Sequence, residues 1–190
     1  DLTRLFDPQN YQRQNTKPHE FWMPILGLFS ASRIEELSQL TVDDVKKIDD
    51  IWFFDINERD RGKHLKSAAA TRLVPLHPQI IQSGFLDYVR DVRQIVGEQG
   101  RIFPYLRDDR INGLSDVPSE AFKRYRMAVG LVHDKKVFHS FRKTANDKLK
   151  QNGVGEDIRS ELLGHEYDTV NSTHYTLDLS ISGKQSILTD

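Results

Sequence analysis

The chain has 190 residues, with 27 Lys and Arg against 28 Asp and Glu for a formal charge of −1, and no cysteine. That length suits one domain with an ample core, and the missing cysteines exclude a disulfide scaffold, a thiolate metal site and a thiol nucleophile. No run approaches the ~18–20 apolar residues of a membrane span, because the most apolar stretch, Phe21 to Ala31, is interrupted by Pro24, Gly27 and Ser30.

Residues 1–17 are polar, punctuated by Pro8 and Pro18, and read as a lead-in. Glu20 to Phe29 is too densely apolar for a surface helix and predicts a buried one with Pro24 in its first turn. A second helix follows, with Ser32 as N-cap, Glu35 three residues on, and Leu37 and Leu40 on one face. Ile51 to Ile56 is rich in β-formers and predicts a strand, and Thr71 to Leu76 predicts another, ended by Pro75 and Pro78. Arg59 to Lys63 is a turn between them, and His64 to Lys66 is expected as a short middle strand.

Beyond the strands the pattern is helical. Gln79 to Val96 places Ile80, Ile81, Phe85, Tyr88, Val89 and Val92 at helical spacing. Arg101 to Asp116 is loop-like. Ser119 to Gly130 is a helix with Ser119 as N-cap, Phe138 to Gln151 a helix stopped by Asn152-Gly153, and Glu156 to Leu163 one stopped by Gly164. Asp168 to Tyr175 starts a further helix, before a polar tail. The expected fold class is mainly α (α+β): a helical domain with a small three-stranded antiparallel sheet near its front.

Charge is unevenly spread. Residues 101–150 hold 12 basic and 6 acidic groups, whereas 151–190 hold 2 and 7. A basic third quarter and the cluster Arg59 to Lys66 are compatible with phosphate binding, and equally with a solvated surface.

Five elements carry candidate chemistry, and each alone has an ordinary structural explanation. Arg33 stands at a helix start, where it could simply pair with Glu35 or Glu36. Lys66 stands at the mouth of the hairpin that leads to Arg72. His139 and Arg142, spaced i and i+3, share one helix face and suit two groups converging on one anion. His165 lies just past the glycine-stopped helix, where a C-capping histidine is also favoured. Tyr175 follows ten residues later.

In this order and context, Arg33, Lys66, His139-x-x-Arg142, Leu163-Gly164-His165 and Tyr175 resemble the catalytic domain of the tyrosine recombinase (phage integrase) family. The likeness runs from about Phe21 to Thr176. It is strengthened by LSQLTVDDV at Leu37 to Val45, by Val74-Pro75-Leu76-His77-Pro78, and by Phe138 to Thr144. There are two departures. Ala31 stands two residues before the arginine, where the family often has glycine, and the gap from His165 to Tyr175 is longer than is common.

The resemblance implies a catalytic set of Arg33, Lys66, His139, Arg142, His165 and Tyr175, with no cofactor and no metal. Tyr175 would attack the scissile phosphate of double-stranded DNA to leave a 3′-phosphotyrosine. His139 would be general base, Arg33 and Arg142 would hold the non-bridging oxygens, Lys66 would protonate the leaving 5′-oxygen in preference to Lys63, and His165 would hydrogen-bond the phosphate. Glu36 would orient Arg33. The implied domains are a catalytic domain over 1–176 and a tail over 177–190, with a preceding helical core-binding domain absent from this chain, which starts at Asp1. The full-length protein is expected to act as a homo-tetramer on DNA, the fragment as a monomer, in a prokaryotic cytoplasm. Two other readings share the pattern: a DNA-binding accessory domain that has lost cleavage, and a type IB topoisomerase.

Overall fold

The computed structural model describes residues 1–60, 62–107, 113–165, 183, 184, 186 and 187. The expected helix from Asp168, Tyr175 itself and most of the tail lie outside the described residues. Among the described residues no helix is long and apolar enough to cross a membrane.

The first fourteen residues are folded. Short helices α1 (Leu2–Leu5) and α2 (Pro8–Gln14) bury Leu5 and Tyr11. Their anchors are two phenols: the Tyr125 hydroxyl donates to the Leu5 carbonyl and the Tyr11 hydroxyl to that of Phe21. The polar lead-in is thus docked, because a few apolar side chains in it find an aromatic surface.

Helix α3 (Pro18–Ser30) is the buried helix that the sequence indicates, but it begins earlier than expected. Pro18 takes the first turn, where its missing N–H costs nothing, and Pro24 is interior. Trp22, Met23 and Leu26 are buried along it. Gly27 marks a close approach: a Cβ there would sit 2.4 Å from Cζ of Phe138. The start of α8 (His139–Gln151) therefore lies directly against α3.

The sheet has the expected three antiparallel strands, but a different third member. Its order is β1 (Val45–Ile48), β2 (Ile51–Ile56), β3 (Arg72–Pro75). β1 and β2 join through Asp49-Asp50, both at positive φ (46° and 65°), the backbone of a tight two-residue hairpin turn. Val45, Phe54 and Val74 stand in register across the sheet and are all buried, which defines its core face. His64 to Lys66 forms no strand. The side-chain amide of Gln39 takes the His64 backbone on both sides instead, accepting from its N–H at 2.8 Å and donating to its carbonyl at 2.9 Å.

The single helix expected over Gln79–Val96 is two, α5 (Pro78–Gln82) and α6 (Phe85–Val96), broken at Gly84 with φ 86°. α7 (Asp116–Ala128) begins before Ser119 because Pro118 occupies its first turn. α9 (Glu156–Leu163) ends at Gly164 as expected. Phe122, Phe138 and Phe141 stack edge to face or tilted between α7 and α8, with ring centroids 5.3–5.5 Å apart. This fixes the roll of α8 about its axis.

Candidate active site

α3 terminates at Ala31 in left-handed backbone (φ 52°, ψ 18°), which turns the chain sharply into α4 (Ile34–Ser38). Arg33, not Ser32, is the N-cap of α4. Its backbone N–H donates to Oε2 of Glu36 at 2.9 Å, the carboxylate half of a capping box. Its guanidinium donates to the other oxygen of the same carboxylate. Glu35 acts elsewhere. Its carboxylate accepts from the backbone N–H groups of Leu114 and Ser115 and so ties α4 to the start of α7.

Glu36 serves a second arginine. Arg72 lies on the core face of β3, opposite Ile56 and in line with Val74. It is 7% exposed and donates to Glu36 at 2.9 Å from Nη2 and 3.3 Å from Nη1. Glu36 is itself buried, and burial alone would raise its pKa. The charge and hydrogen bond of Arg72, then the hydrogen bonds from Arg33, reverse this and hold it below the ordinary carboxylate value.

The end of α9 completes the arrangement. Gly164 (φ 64°) closes a Schellman turn: the His165 N–H bonds the Ser160 carbonyl at 2.9 Å and the Gly164 N–H that of Glu161 at 3.3 Å. The next three carbonyls are each taken by a different arginine. Leu162 accepts from Nε of Arg72 at 3.0 Å, Leu163 from Nη2 of Arg142, and Gly164 from Nη2 of Arg33 at 3.3 Å. Arg142 also donates from Nη1 to the Ala31 carbonyl at 3.0 Å, while its Nε is buried and unpartnered. Three guanidiniums thus gather at this turn, two of them on the Glu36 carboxylate. Burial, then the charges of Arg33 and Arg72, bring Arg142 down to about 9 against the pull of Glu36. It remains a cation at neutral pH.

His139 opens α8 and His165 follows α9, both exposed. Both have lowered pKa values. For His139 the causes are burial of the ring and then the charges of Arg142, Arg33 and Lys66. For His165 they are burial and then Arg142, Arg33, Arg72 and His139. Of the six residues picked from sequence, Arg33, His139, Arg142 and His165 thus lie close together, and Lys66 lies within electrostatic reach of His139. The sixth, Tyr175, is outside the described residues.

The two lysines of the hairpin have separate fates. Lys63 is buried and its ammonium contacts Asp44 at 2.7 and 2.9 Å and Asp60 at 2.5 Å. Lys66 is exposed. Among the adjacent aspartates of this region, Asp44 is held by Lys63 and Asp50 by Lys47 at 2.7 Å. Among the described residues no three His, Asp or Glu side chains converge as a metal site requires.

Arg72 is the site residue that sequence reasoning missed. The sequence does carry a signal for it: in a strand that alternates, Arg72 falls on the same face as Val74.

The model of the phage integrase family matches residues 9–179. No curated protein sequence matches the chain. Two solved structures share its fold at 20% identity. One, a lambda integrase dimer bound to a COC′ core site, has a TM-score of 0.54 over 88% of this chain and 43% of that one. The other, the lambda integrase catalytic core, has a TM-score of 0.50 over 85% of this chain and 89% of that one. The chain thus spans about two-fifths of the DNA-bound lambda integrase chain.

Proposed function

The chain belongs to the phage integrase family, and from that premise we propose that it is the catalytic domain of a site-specific DNA recombinase. In this reading it cleaves and rejoins strands through a 3′-phosphotyrosyl intermediate and serves to integrate or excise a phage or other mobile element. The observation that carries the reading is the cluster of Arg33, Arg142 and two histidines with lowered pKa values around a turn where cations outnumber carboxylates. Such a site is built for an anion, and planar guanidiniums match phosphate oxygens.

The chemistry follows from the charge states. His139 is neutral at pH 7 and can accept the phenolic proton as the Tyr175 oxygen attacks phosphorus. Arg33 and Arg142 stabilise the charge that develops on the non-bridging oxygens, each donor of this kind contributing ~3–4 kcal/mol. As the bond from phosphorus to the 5′-oxygen breaks, the Lys66 ammonium supplies the proton that leaves a free hydroxyl. Lys66 suits that role better than Lys63, whose ammonium is sequestered by two carboxylates. His165 hydrogen-bonds the phosphate. A 5′-hydroxyl from another strand reverses the sequence, so the phosphotyrosine conserves the bond without ATP.

In this reading residues 1–176 form the catalytic domain and 177–190 the tail. A preceding core-binding domain completes the grip on DNA, four protomers assemble on the recombination site, and the isolated chain is a monomer. The setting is the cytoplasm of a prokaryote.

The test is a nicked suicide duplex carrying the host element's attachment sequence, offered to this chain and to Tyr175→Phe. A covalent protein–DNA adduct that disappears in the variant supports the proposal. No adduct, even with a core-binding domain supplied, favours an accessory domain, and relaxation of supercoiled DNA without strand exchange favours a topoisomerase.

A further inference from the structure

Arg72 is buried, sits on the core face of a strand, and makes four hydrogen bonds within the protein. Nε donates to the Leu162 carbonyl at 3.0 Å, Nη1 to the Ala70 carbonyl at 2.8 Å and to Glu36 at 3.3 Å, and Nη2 to Glu36 at 2.9 Å. These partners come from three separate parts of the chain: α4, the turn before β3, and the end of α9. All three of its guanidinium nitrogens are engaged within the protein, whereas Nε of Arg142 is left without a partner, so Arg72 has no group set aside for a phosphate. Its effect on a phosphate must pass through the groups it holds.

Those groups are the ones that set the site. Glu36 caps α4 through the Arg33 backbone and holds the Arg33 guanidinium. Leu162 begins the three-carbonyl turn that delivers His165. The fit is close: a Cβ on Gly164 would lie 2.8 Å from Nη1 of Arg72 and 3.0 Å from Cα of Ala70. Glycine is required there by this contact as well as by its positive φ.

We propose that Arg72 is a positioning residue: its guanidinium clamps the Gly164-His165 turn to Glu36, so that Arg33 and His165 present their donors to the same phosphate. A lysine cannot substitute. It keeps the charge but has a single nitrogen, which cannot bridge a carboxylate and two carbonyls facing different ways. The role rests on the functional reading above, whereas the clamp is testable without it.

The decisive variant is Arg72→Lys in the full chain. The first readout is the imidazole NMR titration of His165 in the absence of DNA. In the wild type His165 faces Arg142, Arg33, Arg72 and His139 and titrates below the ordinary histidine value. In the variant its titration should rise toward that value. Amide exchange at His165 should quicken about tenfold or more, with Leu149 in α8 unaffected. The second readout is adduct formation on the nicked duplex, expected to slow about 10–100-fold with duplex affinity within about twofold, as for other outer-shell groups.

A folded variant with an unmoved His165 titration overturns the proposal, and so does one that loses duplex affinity while His165 stays put. Should the variant fail to fold, the wild type still decides. Its Arg72 Nε–H should be slow to exchange and show coupling across the hydrogen bond to the Leu162 carbonyl, and a rapidly exchanging Nε–H overturns the clamp. If wild-type protein forms no adduct, the functional reading falls, and the His165 titration continues to judge Arg72.

Discussion

Arg142 donates to the carbonyl of Ala31 at 3.0 Å, and Ala31 is held in left-handed backbone to offer it. An L-residue with a Cβ loses roughly 1–2 kcal/mol in that conformation, which glycine adopts freely. Ala31→Gly should therefore stabilise the protein by about 0.5–1 kcal/mol, part of the relief being offset by the greater freedom of the unfolded chain. For this size the shift is about 1–4 °C in Tm. Calorimetry that found the variant less stable would mean that the Ala31 methyl, 2% exposed, contributes more by packing than its backbone loses.

The two proposed phosphate-binding arginines should separate by stability. Arg142→Ala leaves the Ala31 and Leu163 carbonyls without a donor in a buried place, a cost of about 1–3 kcal/mol for each group. Arg33 is 21% exposed at its side chain, and without it Glu36 keeps Arg72. Arg33→Ala leaves a single part-buried carbonyl, that of Gly164, without its donor and should cost about 1 kcal/mol. Both variants should cut single-turnover cleavage by about 10²–10³-fold. Urea titrations with equal losses would contradict the arrangement of bonds described for Arg142.

Lys63 and Lys66 are three residues apart and should respond in opposite ways. Lys63→Met leaves Asp44 charged and buried and should cost about 3–5 kcal/mol. Lys66→Met touches an exposed side chain and should leave stability within about 0.5 kcal/mol, while cleavage falls. A 5′-thio leaving group, which needs no proton, should restore cleavage in the Lys66 variant. Failure of that rescue would remove Lys66 from the acid role.

Acidification should destabilise the fold in two stages. His19, His77, His139 and His165 all have lowered pKa values, burial being the first cause in each. The unfolded chain therefore binds the extra protons, and stability is full above about pH 6.5 and declines as pH falls through the imidazole range. Glu36 and Asp55 act later. Burial alone would raise both, but Arg72 and Arg33, and Arg59 and Lys46, hold them low. Their contribution is present above about pH 4 and is lost below it, as pH falls through the folded values. Urea midpoints that stay flat from pH 7 to 5 would refute the histidine stage.

What could be read from the sequence was what local spacing determines. His139 and Arg142 at i and i+3, Gly164 as a helix stop, and Ile51 to Ile56 as a strand all depend on near neighbours. β1 escaped because Val45 to Ile48 is short, carries two lysines, and turns through Asp49-Asp50 without a glycine to announce it. The strand expected at His64 to Lys66 is absent because Gln39, 25 residues earlier, takes the backbone groups a strand would use. Arg72 escaped for a similar reason at longer range: its partners lie 36 and 90 residues away, and no local pattern records them.

The docking of α1 and α2 also bears on how the domain can be trimmed. Phe6 and Tyr11 stack with each other at 5.4 Å, Phe6 rests 6.1 Å from Phe141, and Tyr11 meets Phe21 and Tyr125 edge-on at 5.4 and 5.6 Å. Phe141 is the residue next to Arg142. Shortening the chain to start after Gln14 would therefore uncover the aromatic surface formed by Phe21, Tyr125 and Phe141. A chain trimmed in this way should be less stable and more prone to aggregate, because the polar opening segment covers apolar surface that the rest of the fold leaves open.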